Sequence, residues 1–375
     1  MANMRGEIRG LTGLRGVAAL TVFLAHTHET LGERGLNLPV SNLAQRLFLN
    51  GGRQVDIFFV LSGFIMAMTY RAWFADTVAR SGYCKFLQRR FARIYPLHFV
   101  MLLAVIAMVI AAHVTGANTR LGLARFQFKA LPEQFLLIHA WNLFGHGVDQ
   151  WNPPSWSISI EALAYLVFPF AIFLTNGWAK TRPWVLVIGA VVCGFALNAV
   201  IPWGIDGIPG IARGLSEFLL GCAVFNVASS GIANWFKSEL GALAAVLILV
   251  VAYALTPDIG FDIGVAAAPL LLALCADNAV SRALGGRVLF FLGEISYSIY
   301  LGHFLFSSIS YRIVSVDWMR TGPLAAAAGI AFIVAFVLGL STLTYYTVEL
   351  PARNLLSGRR RTARVAVPVA AAGPT

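Results

Sequence analysis

The chain has 375 residues, of which 58% are apolar and only 12% charged, and its mean hydropathy is +0.74; one soluble core of that length cannot hide so much apolar surface. Its 28 Lys and Arg against 17 Asp and Glu leave a formal charge of +11. The basic residues gather at 5–15, 71–93 and 353–364 without an interleaved aromatic platform, so the positive-inside rule accounts for them and no nucleic-acid partner is expected. The four cysteines, Cys84, Cys193, Cys222 and Cys275, have neither disulfide nor metal-site spacing and read as small packing residues.

Apolar runs close to the ~20 residues that a bilayer core requires lie at 12–31, 52–73, 94–115, 157–175, 184–202, 211–229, 239–256, 262–280, 289–311 and 323–346. They predict an all-α, polytopic transmembrane bundle of about ten spans, with both termini on the Lys- and Arg-rich cytoplasmic side. Residues 1–356 form the integral-membrane domain in this reading, and 357–375 a short cytoplasmic tail expected to be disordered. The first run contains His26 and is followed by many others, so it reads as a retained span, not a cleaved signal. No internal repeat of the secondary-transporter kind is visible.

Ionisable groups inside spans are expensive and are functional candidates by default. In the first span Arg15 and His26 stand eleven residues apart. On a helix they lie within about 20° of one face and roughly 16 Å apart along the axis. Gly16, Ala18 and Ala19 between them permit close helix packing. An arginine at the inner boundary can hold an anion, and an imidazole near mid-membrane can serve as general base, its pKa being close to working pH; the other reading of His26 is a structural hydrogen bond.

In the second span Asp56 is placed to orient His26 or to hold an acceptor hydroxyl. Ser62 and Gly63 offer either a packing notch or room for a narrow ligand. Lys85, Arg89 and Arg93 then recur every four residues, with Arg90 and Tyr95 in the same stretch. Such a basic face can bind the phosphates of coenzyme A or anionic lipid headgroups of the bilayer. The long connection 116–155 ends in Trp151, Asn152, Pro153, Pro154, Ser155 and Trp156. Trp151 and Trp156 read as interface anchors or as stacking surfaces for a sugar, with Asn152 between them as a polar contact.

Glu161, a turn and a half into the fourth span, is an acceptor ligand, a proton partner for His26 or a structural hydrogen-bond acceptor. Glu217 lies in the sixth span. Ser296, Tyr300 and His303 fall at i, i+4 and i+7, one polar stripe expected to face the bundle interior and the acceptor. Glu349 is placed to pair with Arg353, one turn on.

On these residues the chain resembles the membrane-bound acyltransferase 3 family. The resemblance runs from Leu11 to Pro351 and is carried by Gly13-Leu14-Arg15-Gly16 with His26, and by residues 55–64, 89–96, 156–161, 296–303 and 348–351, in that order. It implies an acyl donor, usually acetyl-CoA, taken from the cytoplasm, and an acceptor presented outside. It makes His26 the base, assigns Arg89 and Arg93 to coenzyme A, and gives Glu161 a supporting role. Some members carry a fused hydrolase-like domain; this chain is expected to act alone in the inner membrane. The acceptor expected is a glycan, such as an exopolysaccharide repeat unit or its lipid-linked precursor, handled beside polysaccharide-assembly proteins. Acyl-CoA enters as a co-substrate; no permanently bound cofactor and no metal are expected. With no activated Ser or Cys beside the histidine, transfer is expected to be direct, an acyl-histidine being the alternative. O-acylation of a small glycosylated metabolite is the alternative within the enzyme class, and a transporter the rival outside it.

Overall fold

The computed structural model describes residues 8–48, 51–115, 126–148, 150–256 and 260–357; residues 358–375 of the expected tail lie outside them. The described chain is helical and contains no strand. In order, its helices are α1 Arg9–Glu33, α2 Asn42–Phe48, α3 Gly51–Phe74, α4 Arg80–Val114, α5 Leu131–Leu136, α6 Trp156–Thr181, α7 Pro183–Val200, α8 Gly207–Asn226, α9 Gly231–Lys237, α10 Glu239–Leu255, α11 Phe261–Ala273, α12 Ala279–Leu284, α13 Arg287–Glu294, α14 Ser296–Ile313, α15 Val316–Met319, α16 Pro323–Thr344 and α17 Leu350–Leu356, with a π-helical turn Tyr345–Glu349 before the last.

Each expected apolar run falls on one of these helices or on a bent pair, except 262–280, which runs past the end of α11 into α12. Six helices are long and apolar enough to cross a membrane, and eight elements qualify if the bent pairs α9–α10 (88°) and α13–α14 (67°) each count once. The remaining two fall short for different reasons. α1 has the length, at 25 residues, but carries Arg15, His26 and Glu29; α11 has only 13 residues, too few to span the hydrocarbon alone.

Small residues set the closest approaches. On α3 and α8, a methyl group at Gly63 would collide with the Phe218 carbonyl, and one at Gly221 with the Val60 carbonyl. The two backbones therefore touch, and Gly63 is the packing notch. The same interface buries an ion pair between Asp56 and Arg213, both fully inaccessible. α1 lies against α13 in the same manner, with Gly16 against the backbone at Leu292 and Gly293. Large apolar side chains left exposed on α7, α10 and α16, among them Ile188, Val192, Leu243, Leu247 and Leu324, suit contact with lipid.

The described part of the long connection folds back between α4 and α6. His98 of α4 bonds the Gln134 carbonyl at 2.8 Å, and its ring stacks on His139. His139 in turn meets Ser155 Oγ at 3.0 Å. Burial, then the neighbouring His98, pushes the His139 pKa down to about 3, so this imidazole is neutral. Trp151 is fully buried between Phe126 and Phe128 and donates its Nε1–H to the Gln127 carbonyl. It is thus the core of the connection, offered neither to the membrane interface nor to a sugar.

Candidate functional site

The eleven-residue offset on α1 opens onto two chambers. At the Arg15 end lies one of about 120 Å³, bounded by Arg15, Ser62, Arg90, Arg93, Glu161, Tyr165 and Ser296 among others. At the His26 end lies a larger one of about 1050 Å³, bounded among others by His26, Glu29, Arg34, Trp156, His303, Tyr311 and Arg320. Val55 and Tyr300 line both.

The small chamber is built for negative charge. Three guanidinium groups face it against the single carboxylate of Glu161. Arg15 donates to the Gly293 carbonyl at 2.8 Å. Ser296 Oγ donates to the same oxygen at 2.8 Å, where the chain bends between α13 and α14. Arg90 donates to the Tyr70 hydroxyl at 3.0 Å. Glu161 accepts from Ser62 and from Tyr165, each at 2.6 Å. It therefore follows the third of its readings, a structural acceptor in the chamber wall, not a partner of His26. Fork-shaped donors in a part-apolar cleft match the geometry of phosphate and carboxylate groups.

The large chamber is built around imidazole. His26 Nδ1 lies 3.3 Å from Glu29 Oε2, and its ring stacks on His303 with centroids 5.4 Å apart. His303 Nδ1 donates to the Tyr300 carbonyl at 2.6 Å, which leaves its Nε2 with the lone pair. The His26 side chain is half exposed to the chamber (50%), with the Glu29 carboxylate at its Nδ1. Trp156 forms part of the chamber wall with Arg213 held over its ring at 5.3 Å.

Several expected site residues lie elsewhere. Asp56 pairs with Arg213, whose Nε is 2.7 Å away, and not with His26; a buried carboxylate takes the full charge that neutralises it. Lys85 and Arg89 stand over Trp73 at 6.0 and 5.0 Å, so the four-residue basic face is split: of its three members only Arg93 lines the chamber, joined there by Arg90. Tyr95 donates to the Phe135 carbonyl at 3.0 Å, tying α4 to α5. Asn152 is buried and donates to the Leu301 carbonyl at 3.1 Å, which clamps the connection to α14. Glu349 accepts from Ser298 at 3.0 Å.

Arg213 and Glu29 are the residues sequence reading missed. A lone arginine in an apolar run was a signal that Asp56 needed a partner, and Glu29 stands one turn from His26. Among the described residues no group of three or more His, Cys, Asp or Glu gathers as metal ligands would.

A family model described as an acyltransferase domain matches residues 8–345. The acyltransferase MdmB of Streptomyces mycarofaciens is 29% identical over 95% of this chain and 94% of its own length. The peptidoglycan O-acetyltransferase OatA of Listeria monocytogenes is 23% identical over 93% of this chain, which spans 56% of that relative's length. No solved structure matches the chain.

Proposed function

The chain belongs to the acyltransferase family whose model it matches from residue 8 to 345, a family of multi-pass membrane proteins, and from that premise we propose that it transfers an acyl group, acetyl by preference, from cytoplasmic acyl-CoA to a hydroxyl of a glycan at the outer face of the inner membrane. The observation that carries this reading is the pair of chambers opened by Arg15 and His26 at opposite ends of one helix segment. The name of OatA supports a hydroxyl acceptor and an acetyl group.

The phosphates of coenzyme A sit near Arg90 and Arg93 at the cytoplasmic end, and Arg15 steers the pantetheine arm between α1, α3 and α14. The acceptor enters the large chamber from the outer side. His26 Nε2 takes the hydroxyl proton as the oxygen bonds to the acyl carbon. The carbon–sulfur bond then breaks, and the departing thiolate takes the proton back from the imidazolium. Glu29 holds His26 in the tautomer this requires.

Calorimetry with acetyl-CoA on the purified protein tests the donor assignment. Wild type and His26→Ala bind, whereas Arg90→Ala/Arg93→Ala does not. Absence of binding by wild type to acetyl-CoA and to longer acyl-CoAs overturns the reading and returns the transporter to the front.

A further inference from the structure

The two chambers meet at Val55 on α3 and Tyr300 on α14, the residues that line both. Tyr300 is held on several sides. Its hydroxyl hydrogen-bonds Ser157 Oγ of α6 at 2.7 Å, its ring lies against Phe58 of α3 with centroids 5.5 Å apart, and its carbonyl carries the His303 ring. It is only 6% exposed despite facing two cavities, because its neighbours occupy most of the space around it.

The large chamber is wet by its own composition: Glu29, Glu33, Arg34 and Arg320 line it, and charged groups at such a wall keep water beside them. Water is chemically a competent acyl acceptor here. Its oxygen can attack the acyl carbon, His26 can take its proton and return it to the departing thiolate, and a carboxylic acid and free coenzyme A result. The base is the same for water and for a sugar hydroxyl, so it cannot choose between them. The choice has to be made by access.

We propose that Tyr300 is the partition that makes this choice, setting acyl transfer to a hydroxyl over hydrolysis by water. The chemistry rests on the acyl-CoA reading above; the partition itself rests on the shared lining of the two chambers. In the resting arrangement the ring stands between the thioester and the wet chamber, with the Ser157 bond holding it there. An arriving acceptor displaces water from the large chamber and offers its own hydroxyls in place of Ser157. The ring can then turn aside when the space beyond it is filled with substrate instead of solvent. Exclusion of water from a reactive intermediate is a general use of such closures.

The test is release of coenzyme A thiol from acetyl-CoA by the purified protein with no acceptor added. Tyr300→Ala is expected to raise this acceptor-free release about tenfold over wild type, equivalent to lowering the barrier to attack by water by about 1.4 kcal/mol. Tyr300→Phe keeps the ring but loses the Ser157 tie and falls between the two. Unchanged release by Tyr300→Ala, with acetyl-CoA binding intact by calorimetry, overturns the proposal. If Tyr300→Ala does not fold, Tyr300→Phe and Val55→Ala carry the same measurement, and no increase in either overturns it.

If wild type binds no acyl-CoA, the donor reading fails and this proposal falls with it; if wild type binds acetyl-CoA and Tyr300→Ala releases thiol no faster, the partition alone is overturned.

Discussion

The imidazoles of His26 and His303 lie parallel, with ring centroids 5.4 Å apart and planes 9° from each other. Each has its Nδ1 engaged, one with Glu29 and the other with the Tyr300 carbonyl, so in both the Nε2 is the nitrogen left for chemistry. His303 is buried, whereas His26 opens onto the large chamber. His26 is therefore the one a substrate can touch, and His303 is the flat wall that sets its orientation.

His26→Ala is expected to lower kcat by roughly 10²- to 10⁴-fold, the range for loss of a general base, with acetyl-CoA affinity unchanged. Glu29→Gln lowers kcat less and also leaves the affinity alone. His303→Phe, which keeps a flat ring, retains more activity than His303→Ala. Acceptor-dependent thiol release and calorimetry on the same preparations separate these outcomes.

The split of the basic face predicts unequal effects on donor binding. Each charge-assisted hydrogen bond to a phosphate contributes about 1.5–3 kcal/mol, so Arg90→Ala/Arg93→Ala weakens acetyl-CoA binding by at least a hundredfold. Lys85→Ala/Arg89→Ala, at positions stacked on Trp73, weakens it far less. Equal losses in the two double variants contradict the chamber as the donor site.

Arg213→Ala leaves the Asp56 carboxyl buried without its cation and is expected to cost about 3–5 kcal/mol of stability; Asp56→Asn costs less, because the buried Glu217 carboxyl still lies beside Arg213. Replacing both by apolar residues, Asp56→Leu/Arg213→Met, recovers most of that loss. Melting temperature in detergent reads all three. A double variant that melts as low as the singles contradicts a simple ion pair.

Gly63→Leu forces α3 away from the Phe218 backbone. Overpacking of this kind costs about 1–3 kcal/mol or more and lowers the melting temperature. Gly189→Leu, at a site with open space around it, does not.

His139 is buried neutral, with its pKa pushed down to about 3. The unfolded chain takes up the proton near the ordinary value of 6.5, so the contribution of this group is fully present above pH 6.5. It is lost as pH falls from 6.5 towards 3. His139→Asn therefore shows a shallower fall of melting temperature over that interval than wild type does. Identical slopes would mean the imidazole is not what resists acid.

The helices were legible because a bilayer leaves so little choice: every long apolar run had to satisfy its backbone internally, and all but 262–280 lie on one helix or a bent pair. The Arg15–His26 spacing was legible too, since one straight helix fixes the offset. What the sequence hid came from the partners. The sequence offers Asp56 to His26 or to an acceptor hydroxyl, yet Arg213, far along the chain, takes it. Trp151 was read as a surface ring, but residues 126–128 wrap it. The basic face was read from a four-residue period, whereas the chamber looks between Arg90 and Arg93. In each case a contact outside the local sequence window decides what the residue does.

The Asp56–Arg213 pair also has a consequence for biogenesis. The two charges come from α3 and α8, so synthesis of 157 residues separates them. During that interval α3 alone must hold Asp56 against lipid, at a cost below the about 2.5–3.5 kcal/mol of a charge at the centre of a helix, because Asp56 lies in the second turn of α3. Translation arrested between the two should leave a fragment whose α3 slips back out of the translocon or is recognised by membrane proteases. The pair thus ties the final seating of α3 to the later arrival of Arg213.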